Sequence, residues 1–437
     1  MELEWRRQWA VGSWRPATRA LANCFGLCKA FFPEASQRVH IPVMPGDIVL
    51  FTGPSGGGKS LLLGQAIRHV LAEVGAERVV CLEEPEEDRG TVVESLGLPV
   101  ADAARLLTRC GMGEPRLWLA RGATLSVGER ARWAVARACA RLSCARGSAG
   151  PAWLVADEFT AVLDRVTARV LAFNLARWAR RLGVGLLLAT CHEDIVADVA
   201  PDWLVRTELD EPPCVVRRPY PAGERISFAP FLQVSEGRRR DWRSFARWHY
   251  RGTGLGPVRR VTLLWHEGRP IGICVFTAPA AALRLRHRFF RKGPDCCRSS
   301  GAQCCRGDAQ CQRSGWPDAR QVRDLAYLNR ALWTVARVVL HPSYRGAGIA
   351  SAFVRWSCAT SPVPWIEALA ALGSFHPLFE RAGFVRVGRV RHRKGAGPET
   401  HAGIFGGQAR LSPRTLAQSL VSRPVYYLRD NRRWCPR

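Results

Sequence analysis

Short apolar runs in the first half of the chain alternate with longer stretches whose apolar residues recur every three or four positions. The run "IVLFT" (Ile48–Thr52) follows a Pro-Gly-Asp turn and precedes such a helical pattern, and "WLVA" and "VGLLLAT" are two further runs. Apolar runs separated by helices are typical of strands buried in a parallel sheet. The pattern predicts an α/β domain over residues 41–215, preceded by an N-terminal segment, residues 1–40.

The second half of the chain has a different order of elements. Residues 258–279, "VRRVTLLWHEGRPIGICVFTAP", predict a hairpin of two apolar strands. "ALWTVARVVLHP" predicts a strand that leads into a turn and an amphipathic helix, and "HPLFERAGFVRVG" predicts a short helix followed by a strand. After a linker rich in proline near residues 211–223, we expect an α+β domain over residues 216–437, with a Cys-rich insertion at 292–318.

The charge is distributed unevenly between these halves. The chain has 64 basic residues (Lys and Arg) and 37 acidic residues (Asp and Glu). Residues 216–437 contain 39 of the basic and 12 of the acidic residues, whereas the first 215 residues contain 25 of each. The net charge of +27 therefore lies in the second half. A basic half indicates a polyanionic partner, most simply nucleic acid. Only four of the basic residues are lysines, so biased codon usage is the alternative explanation.

The hydropathy of the chain also bears on its location. No run approaches the ~18 apolar residues of a membrane-spanning helix. The charged and aromatic N-terminus lacks the apolar core of a signal peptide. We therefore expect a soluble cytoplasmic protein without a membrane partner, whose 16 cysteines stay reduced.

A glycine-rich loop follows the first apolar strand. "GPSGGGKS" matches the phosphate-loop pattern G-x-x-x-x-G-K-S and stands between a strand and a helix. Glycines let backbone N–H groups close around phosphate oxygens, the lysine reaches the terminal phosphates, and the final serine can bind Mg²⁺. The predicted ATP-binding residues of this loop are Gly53, Pro54, Ser55, Gly56, Gly57, Gly58, Lys59 and Ser60.

Three further segments carry polar residues to the same edge of the predicted sheet. "WLVA" ends at Asp157, which is placed to hold Mg²⁺ together with Ser60, and Glu158 beside it is placed to orient an attacking water. "LSVGE" precedes a helical pattern, and "VGLLLAT" leads to His192. Because ligands of open α/β sheets collect at the carboxyl ends of strands, these segments are expected to form one site.

In this order the motifs resemble those of the ATP-binding-cassette (ABC) ATPases. "GPSGGGKS" resembles Walker A, "LSVGE" the signature and "WLVADE" the end of Walker B. The resemblance implies that Glu158 is the catalytic base and that His192 senses the γ-phosphate. It also implies a head-to-tail homodimer, in which Ser126 and Gly128 bind the ATP held by the other subunit, and it assigns Asp164 to the D-loop.

Two departures from the resembled pattern concern the signature and the Q-loop. Val127 stands where transporters usually carry glycine, and Glu129 stands where they carry glutamine. No glutamine lies between Gln65 and the signature, so the usual Q-loop residue is missing. The acidic run "EEPEED" (83–88) either supplies a substitute carboxylate or is a solvated loop. Together with the lack of a membrane-spanning segment, these departures disfavour a transporter subunit.

A second turn, "HPSYRGAGIA", has the form of another anion-binding loop. Its two glycines permit close backbone approach, and the helix that follows directs its positive end toward an anion. The order hairpin, strand, R-x-x-G-x-A loop, helix, strand, short helix and Gly-Phe strand resembles the GCN5-related N-acetyltransferases (GNAT); a structural turn without a ligand is the alternative. The resemblance implies that acetyl-CoA or a related acyl-CoA is bound by Val338, Val339, Leu340, Arg345, Gly346, Ala347, Gly348, Ile349 and Ala350.

The combination of both halves also resembles a known family. "DEFTAVLD", "ATCHEDI", "WHYRG" and "RVVLHPSYRGAGIA" are similar to segments of ABC-type ATPases fused to a predicted acetyltransferase domain. The second half is similar in turn to the phage Mom proteins, GNAT-fold enzymes that modify adenine in DNA. Many GNAT enzymes have a tyrosine as general acid where this chain has Phe379.

The acid/base residues of the second half stay open between several candidates. Histidine suits proton transfer near neutral pH, so His249 is the first candidate. Further candidates are Tyr250, Asn329, His341 and His376. The alternative for each is a merely solvated loop residue.

Two other segments allow two interpretations each. "RRRDWRSFARWHYR" (238–251) interleaves arginines with aromatic residues, which suits phosphate contact and base stacking, but its apolar residues recur at helical spacing and could belong to a core. Five cysteines between residues 295 and 315 could bind zinc, although the lack of C-x₂-C spacing favours a flexible insertion.

The function predicted from these features is a soluble ATPase, with ATP and Mg²⁺, coupled to an acyltransferase that modifies nucleic acid. One alternative is an ATP switch that binds nucleic acid and uses a non-catalytic GNAT-like module for docking. The other alternative is the ATPase subunit of a transporter.

Overall fold

The computed structural model of the protein describes residues 1–7, 15–27, 35–83, 90–144, 150–209, 211–250, 254–281, 283–292, 316–390 and 422–432. The chain forms two compact units, Met1–Ser227 (the first unit) and Phe228–Arg437 (the second unit). The boundary lies beyond the predicted one at residue 216, because residues 214–217 form a strand of the first sheet. The backbone N–H and the hydroxyl of Ser227 both donate to the buried carboxylate of Asp198 at 2.8 Å, which holds the end of the first unit.

The first unit contains eight strands and seven α-helices within the described ranges. The strands are β1 (Glu2–Arg7), β2 (Ala35–His40), β3 (Ile48–Thr52), β4 (Val79–Cys81), β5 (Ala152–Ala156), β6 (Val184–Thr190), β7 (Trp203–Arg206) and β8 (Cys214–Arg217). The helices are α1 (Pro16–Cys24), α2 (Lys59–Val74), α3 (Val100–Arg109), α4 (Pro115–Trp118), α5 (Val127–Cys144), α6 (Arg165–Leu182) and α7 (Val196–Val199).

Six of these strands form one sheet in the order β4-β5-β6-β3-β7-β8. All neighbours are parallel except β7 and β8. Strands β3 and β6 are buried along their whole length, which explains their continuous apolar sequences. The predicted α/β fold is therefore confirmed for this unit.

The N-terminal residues belong to the same core. Strands β1 and β2 form a separate antiparallel pair, and Leu3 and Trp5 pack into the cluster that contains Val49 and Phe51 of β3. The N-terminal segment is thus part of the first unit, because its alternate residues supply apolar side chains to that core.

Helix α6 shows how the local sequence sets helix limits. Asp164 at the N-cap accepts hydrogen bonds from the backbone N–H and the hydroxyl of Thr167, at 3.0 and 2.6 Å. Gly183 ends the helix in a left-handed conformation (φ 67°), which glycine adopts without a steric penalty. Both residues follow the pattern that sequence alone predicts for helix ends.

The second unit contains seven strands and five α-helices within the described ranges. The strands are β9 (Gln233–Glu236), β10 (Val258–His266), β11 (Arg269–Thr277), β12 (Leu332–Leu340), β13 (Trp365–Ala370), β14 (Val385–Arg389) and β15 (Val425–Asp430). The helices are α8 (Trp242–Phe245), α9 (Arg284–Lys292), α10 (Leu325–Ala331), α11 (Ile349–Ala359) and α12 (Leu378–Arg381).

These seven strands form one sheet in the order β9-β10-β11-β12-β13-β15-β14, and only β12 and β13 are parallel. The ladder between β12 and β13 ends at the pair Val335 and Ala368, whereas β12 continues to Leu340. We refer to the point at which this ladder ends as the fork. The fork leaves the last part of β12 unpaired with β13 within the described residues.

Strand β12 also has an irregularity next to the fork. Val275 of β11 faces Arg337, but the next residue, Phe276, faces Val335. Ala336 is therefore an extra residue in β12, as in a β-bulge, which locally interrupts the ladder and bends the strand.

Helix α9 is attached to this sheet by a buried ion pair. The Arg286 guanidinium donates to both carboxylate oxygens of Glu367 in β13, at 2.7 and 3.0 Å, and the two side chains are 0% and 2% exposed. The hydroxyls of Thr334 and Tyr426 donate to the same carboxylate, at 2.8 and 2.9 Å. Burial and the negative charge of Glu367 raise the pKa of Tyr426 well above its usual value, so this phenol retains the proton that it donates.

None of the helices in the described part of the chain combines the length and the apolar character that a bilayer-spanning segment needs. Most of the predicted Cys-rich insertion, residues 293–315, lies outside the described residues.

Candidate functional site

The first glycine-rich loop connects β3 to α2. Gly53, Gly56 and Gly58 have left-handed backbones, with φ of 137°, 84° and 91°. A Cβ at Gly53 would overlap the backbone oxygen of Thr207, so no side chain fits there. The glycines in this loop are required by the path of the backbone, as expected for a loop whose amides line a phosphate site.

Lys59 is the first residue of α2 and lies over this loop. Its ammonium donates to the carbonyl oxygens of Gly53 and Pro54, at 2.8 and 2.6 Å. The terminal phosphates of a nucleotide in the loop would be strong acceptors for the same ammonium. Ser60 is exposed in the same helical turn.

The acidic residues and His192 lie at the edge of the sheet where the loop begins. Strand β6 is parallel to both β5 and β3, so the carboxyl ends of these strands share one edge. Asp157 and Glu158 follow β5 and are exposed, and His192 follows β6 and is half-buried. The hydroxyl of Ser60 and the carboxylate of Asp157 are oxygen donors of the kind that Mg²⁺ prefers, so the residues fit the ion.

The backbone at Glu158 is strained. Its φ is 47°, a left-handed conformation that is uncommon for a residue with a side chain, and its N–H donates to Asp157 Oδ1 at 2.8 Å. Strain of this kind persists where the surrounding fold enforces it and is frequent at functional sites. The hydrogen bond therefore holds the Asp157 carboxylate against the backbone of Glu158.

The signature segment begins α5 and contacts the D-loop. The backbone N–H and the hydroxyl of Ser126 donate to Glu129 Oε2, at 2.8 and 2.9 Å, so the glutamate that replaces glutamine caps the helix. A Cβ at Gly128 would lie 3.4 Å from the Leu163 side chain, next to Asp164. Ser126 is exposed, and Val127 is 56% exposed, which leaves this segment accessible. Its predicted contact with the ATP of another subunit stays a prediction.

Two residues that contact the phosphate loop were missed by the sequence analysis. The Trp5 indole N–H of β1 donates to the carbonyl oxygen of Gly57 at 3.3 Å, across 52 positions. Thr207, after β7, packs against both Gly53 and Gly57. No local motif signals either residue, because the sheet brings them to the loop.

Of the acidic run proposed to replace the Q-loop, only Glu83 lies within the described residues.

The second glycine-rich loop connects β12 to α11. Gly346 and Gly348 have φ of 90° and 78°, and Gly348 is the N-cap residue of α11. No atom lies within 4 Å of a Cβ built on Gly348, which is exposed, so the space in front of this residue is open. The other predicted residues around it are at the end of β12 (Val338, Val339 and Leu340), in the loop (Ala347) and in the first turn of α11 (Ile349 and Ala350).

Arg345 joins this loop to the segment that follows α8. Its Nε donates to the carbonyl oxygen of Leu340 at 3.3 Å, and its Nη2 donates to that of Trp248 at 3.0 Å. The guanidinium predicted to bind pyrophosphate is thus hydrogen-bonded to two backbone carbonyls.

The candidate acid/base residues lie in three places. His249 stacks on Tyr250, with ring centroids 4.9 Å apart, and His341 meets Trp248 edge-on at 4.7 Å, so these residues belong to one aromatic group around Trp248. Asn329 lies elsewhere, on α10, and accepts a hydrogen bond from Arg259 at 3.2 Å. His376 precedes α12 and is half-buried.

The structure separates the two interpretations of the arginine- and aromatic-rich segment. Trp242 and Phe245 are 5% and 1% exposed and pack in the core against β10 and β11. Tyr250 is 36% exposed. The exposed arginines of this segment are Arg238, Arg239, Arg240, Arg243 and Arg247. The helical apolar residues are therefore core, whereas the arginines and Tyr250 form its surface.

Phe379 occupies the position where the resembled enzymes carry tyrosine. It is buried in α12 and stacks on Tyr427, with ring centroids 5.3 Å apart. The Tyr427 hydroxyl donates to Glu380 Oε1 at 2.8 Å, and the Gly373 carbonyl oxygen lies 3.1 Å from the same hydroxyl. This phenol is itself buried and fully engaged in holding α12 to β15.

Curated proteins are similar to part of the chain. A lipoprotein-releasing system ATP-binding protein LolD from Alcanivorax borkumensis is 29% identical over 199 residues, 38% of this chain and 82% of that protein. LolD 1 from Rhodospirillum rubrum is 30% identical over 190 residues, 36% of this chain and 79% of that protein. A hemin import ATP-binding protein, HmuV, from Rhodopseudomonas palustris is 32% identical over 154 residues, 29% of this chain and 59% of that protein.

The chain is also similar in part to solved structures. CbiO1 from Clostridium perfringens, part of an ABC transporter complex, is 20% identical with a TM-score of 0.32, covering 41% of this chain and 80% of that one. A dimeric ATP-binding cassette bound to ADP and phosphate is 16% identical with a TM-score of 0.34, covering 50% of this chain and 98% of that one. No protein-family model matches the chain.

The LolD relatives carry the assignment, because they match this chain over about four-fifths of their own length. Through its first unit, which contains the phosphate loop, the acidic pair and the signature segment, the chain belongs to the ABC-type ATPases.

Proposed function

We propose that this ABC-type ATPase is coupled to an acyltransferase, the second unit, which uses an acyl-CoA donor and modifies a base of a nucleic acid. The observation that carries the transferase part is the fork between β12 and β13, with the Gly346–Gly348 loop following β12. An interrupted parallel ladder offers backbone groups to an extended cofactor arm, and the loop amides at the start of α11 offer an anion site for its pyrophosphate.

The residues of the ATPase site would divide the work in the following way. Lys59 and the loop amides bind the β- and γ-phosphates, and Ser60 and Asp157 hold Mg²⁺, which screens the phosphate charge when bound. Glu158 orients the attacking water and accepts its proton, and His192 contacts the γ-phosphate. The exposed Ser126 and Gly128, two residues later, of a second copy close the site, so the active ATPase is a homodimer.

The transferase step would break the thioester C–S bond and form an acyl–nitrogen bond. The acceptor amine loses a proton, for which His249 is the first candidate base, and the CoA thiolate takes up a proton from solvent or a neighbouring group. Because Phe379 cannot donate a proton and Tyr427 is buried, the thiolate is not protonated from α12 in this proposal.

The acceptor is proposed from charge and surface chemistry. The second half carries all of the net charge of +27, and the segment around α8 exposes five arginines beside the exposed Tyr250. Arginines suit phosphate contacts, and an exposed tyrosine suits base stacking. The Arg247 guanidinium lies over the Trp248 ring, 4.5 Å from its centroid, and the Trp248 carbonyl is joined to the second loop by Arg345.

The transferase proposal is tested by mass analysis of nucleosides from DNA and RNA of cells that express the protein. Gly348→Asp adds a negative charge at the proposed pyrophosphate site, and Gly348→Asn is the matched neutral control, since both residues tolerate a left-handed backbone. We expect a modified nucleoside with the wild type and the asparagine variant and none with the aspartate variant. An unchanged nucleoside profile with the wild type would remove the nucleic-acid substrate.

Calorimetry with acetyl-CoA separates this proposal from the docking alternative. If Gly348→Asp weakens acetyl-CoA binding and Gly348→Asn preserves it, the second unit does not serve only for docking. Absence of acetyl-CoA binding to the wild type would favour an ATP switch that binds nucleic acid.

A second candidate function is favoured by the relatives. By name, LolD and HmuV are ATP-binding proteins of a lipoprotein-releasing system and of hemin import. The expectation that this protein has no membrane partner finds no support in them, and a transporter ATPase subunit is the second candidate. The test is co-purification after detergent extraction. A membrane protein that co-purifies with the full chain, and does so only when the first unit is present, would favour this candidate.

A further inference from the structure

The carbonyl of Gly57 in the phosphate loop has a partner from outside the loop. It accepts a hydrogen bond from the indole N–H of Trp5 at 3.3 Å, and Trp5 is only 4% exposed. The indole also packs against the next residue, because a Cβ at Gly58 would lie 3.0 Å from Trp5 Nε1. One side chain of β1 therefore contacts both ends of the Gly57–Gly58 peptide.

This contact fixes the direction of a loop amide. In a trans peptide the C=O and the following N–H point in opposite directions across one plane. With the Gly57 oxygen directed toward Trp5, the Gly58 N–H is directed away from β1. Gly58 also has a left-handed backbone and is the N-cap residue of α2, immediately before Lys59, so its amide belongs to the loop at the start of that helix.

Strand β1 is itself attached to the helix that the loop begins. The backbone N–H of Glu4 donates to Gln65 Oε1, and Gln65 Nε2 donates to the carbonyl oxygen of Glu4, both at 2.6 Å. These two hydrogen bonds join the residue before Trp5 to α2. The indole is thus positioned against the same helix whose first residue is Lys59.

We propose that Trp5 is a positioning residue of the ATP site, which orients the Gly57–Gly58 peptide so that the Gly58 amide faces the phosphates of a nucleoside di- or triphosphate. This inference rests on the proposed binding of ATP phosphates by the first loop. It adds a residue of the N-terminal strand to the site and assigns it a role in affinity rather than in the chemical step.

The test is steady-state ATPase kinetics and ADP binding with Trp5→Phe, which keeps an aromatic ring and removes the N–H. Trp203→Phe is the matched control: Trp203 packs on the same core, and its indole donates to Asp47 at 3.1 Å. We expect Trp5→Phe to raise KM for ATP and Kd for ADP about three- to tenfold with kcat within about twofold, as for loss of one hydrogen bond to a ground-state site. Trp203→Phe should change neither constant by more than about twofold.

A second variant separates positioning from folding. Gln65→Leu removes the link between β1 and α2 but retains the indole, and we expect it to raise KM in the same direction by a smaller factor. Tm is measured for all variants, because a structural role alone would lower Tm without changing the ratio of KM to kcat.

Unchanged KM and Kd in Trp5→Phe, with an active wild type, would overturn the inference and leave the ATP site intact. ATP turnover and ADP binding that are unchanged in the Lys59→Ala variant would instead contradict the proposed site itself. The two failures are therefore distinguishable.

Discussion

Arg345 and Trp248 lie 97 positions apart in the sequence and are joined by a hydrogen bond from Nη2 to the backbone oxygen, 3.0 Å long. The same guanidinium bonds the carbonyl oxygen of Leu340. This arrangement connects the loop proposed to bind the acyl donor with the aromatic group that contains His249.

We predict that Arg345→Met lowers acetyl-CoA affinity by no more than about threefold, because the loop amides are the proposed pyrophosphate ligands. Hydrogen exchange of residues 246–250 should accelerate about tenfold, since the segment loses a hydrogen bond. Calorimetry and exchange mass spectrometry measure the two effects. A loss of affinity as large as that of Gly348→Asp would show that the guanidinium binds the cofactor directly.

Glu158→Gln is expected to lower ATP turnover by about 100-fold or more, because an amide cannot accept the proton of the attacking water. The ATP-bound homodimer should accumulate and elute earlier in gel filtration with ATP and Mg²⁺. Glu193→Gln is the control, since Glu193 is an exposed carboxylate at the same sheet edge. A variant that elutes as a monomer with ATP and Mg²⁺ would count against a head-to-tail dimer that closes around ATP.

Gly53→Ala and Gly64→Ala form a matched pair on either side of the start of α2. The first should abolish nucleotide binding, because a Cβ would overlap the Thr207 backbone oxygen. The second should raise stability by about 0.5–1 kcal/mol, since Gly64 is inside the helix with nothing within 4 Å of a Cβ. Calorimetric binding of ADP and thermal unfolding measure both. Normal ADP binding by Gly53→Ala would refute the backbone argument.

Arg286→Met is expected to destabilise the second unit by about 3–5 kcal/mol, because the Glu367 carboxylate would lose its only ionic partner among those described here while staying buried. The double variant Arg286→Met, Glu367→Gln should recover a large part of that loss, since no charge remains unpaired. Urea unfolding gives both values. Equal destabilisation by the single and double variants would contradict the ion-pair explanation.

Burial raises the pKa of the Cys110 and Cys358 thiols to about 12. Thiolate is the reactive form, so both cysteines should resist iodoacetamide in the native protein up to about pH 10, with labelling rising only as pH approaches 12. The exposed Cys191 and Cys214 should be labelled at pH 8. Peptide mapping after brief labelling measures each site. Rapid labelling of Cys110 at pH 8 would show that the first unit opens locally.

The sequence predicted the elements that depend on local pattern. The run at Ile48–Thr52 and the glycines of both loops are each specified by residues close in the chain, because hydrophobic periodicity and left-handed backbone positions are local properties. The observed boundary between the units differs from the one predicted at residue 216, because the pairing of β8 with β7 does not depend on the local sequence.

The relation between distant residues was decided only by the tertiary structure. Trp5 meets Gly57 because β1 packs beside α2, and Arg345 meets Trp248 because β12 brings the second loop next to the segment after α8. Arg286 and Glu367 pair across 81 positions because α9 packs against β13. The sequence by itself determined which short segments could bind phosphate. The tertiary structure decided which side chains orient those segments. Such contacts join residues that are far apart in the chain, and no periodic pattern in the sequence connects them.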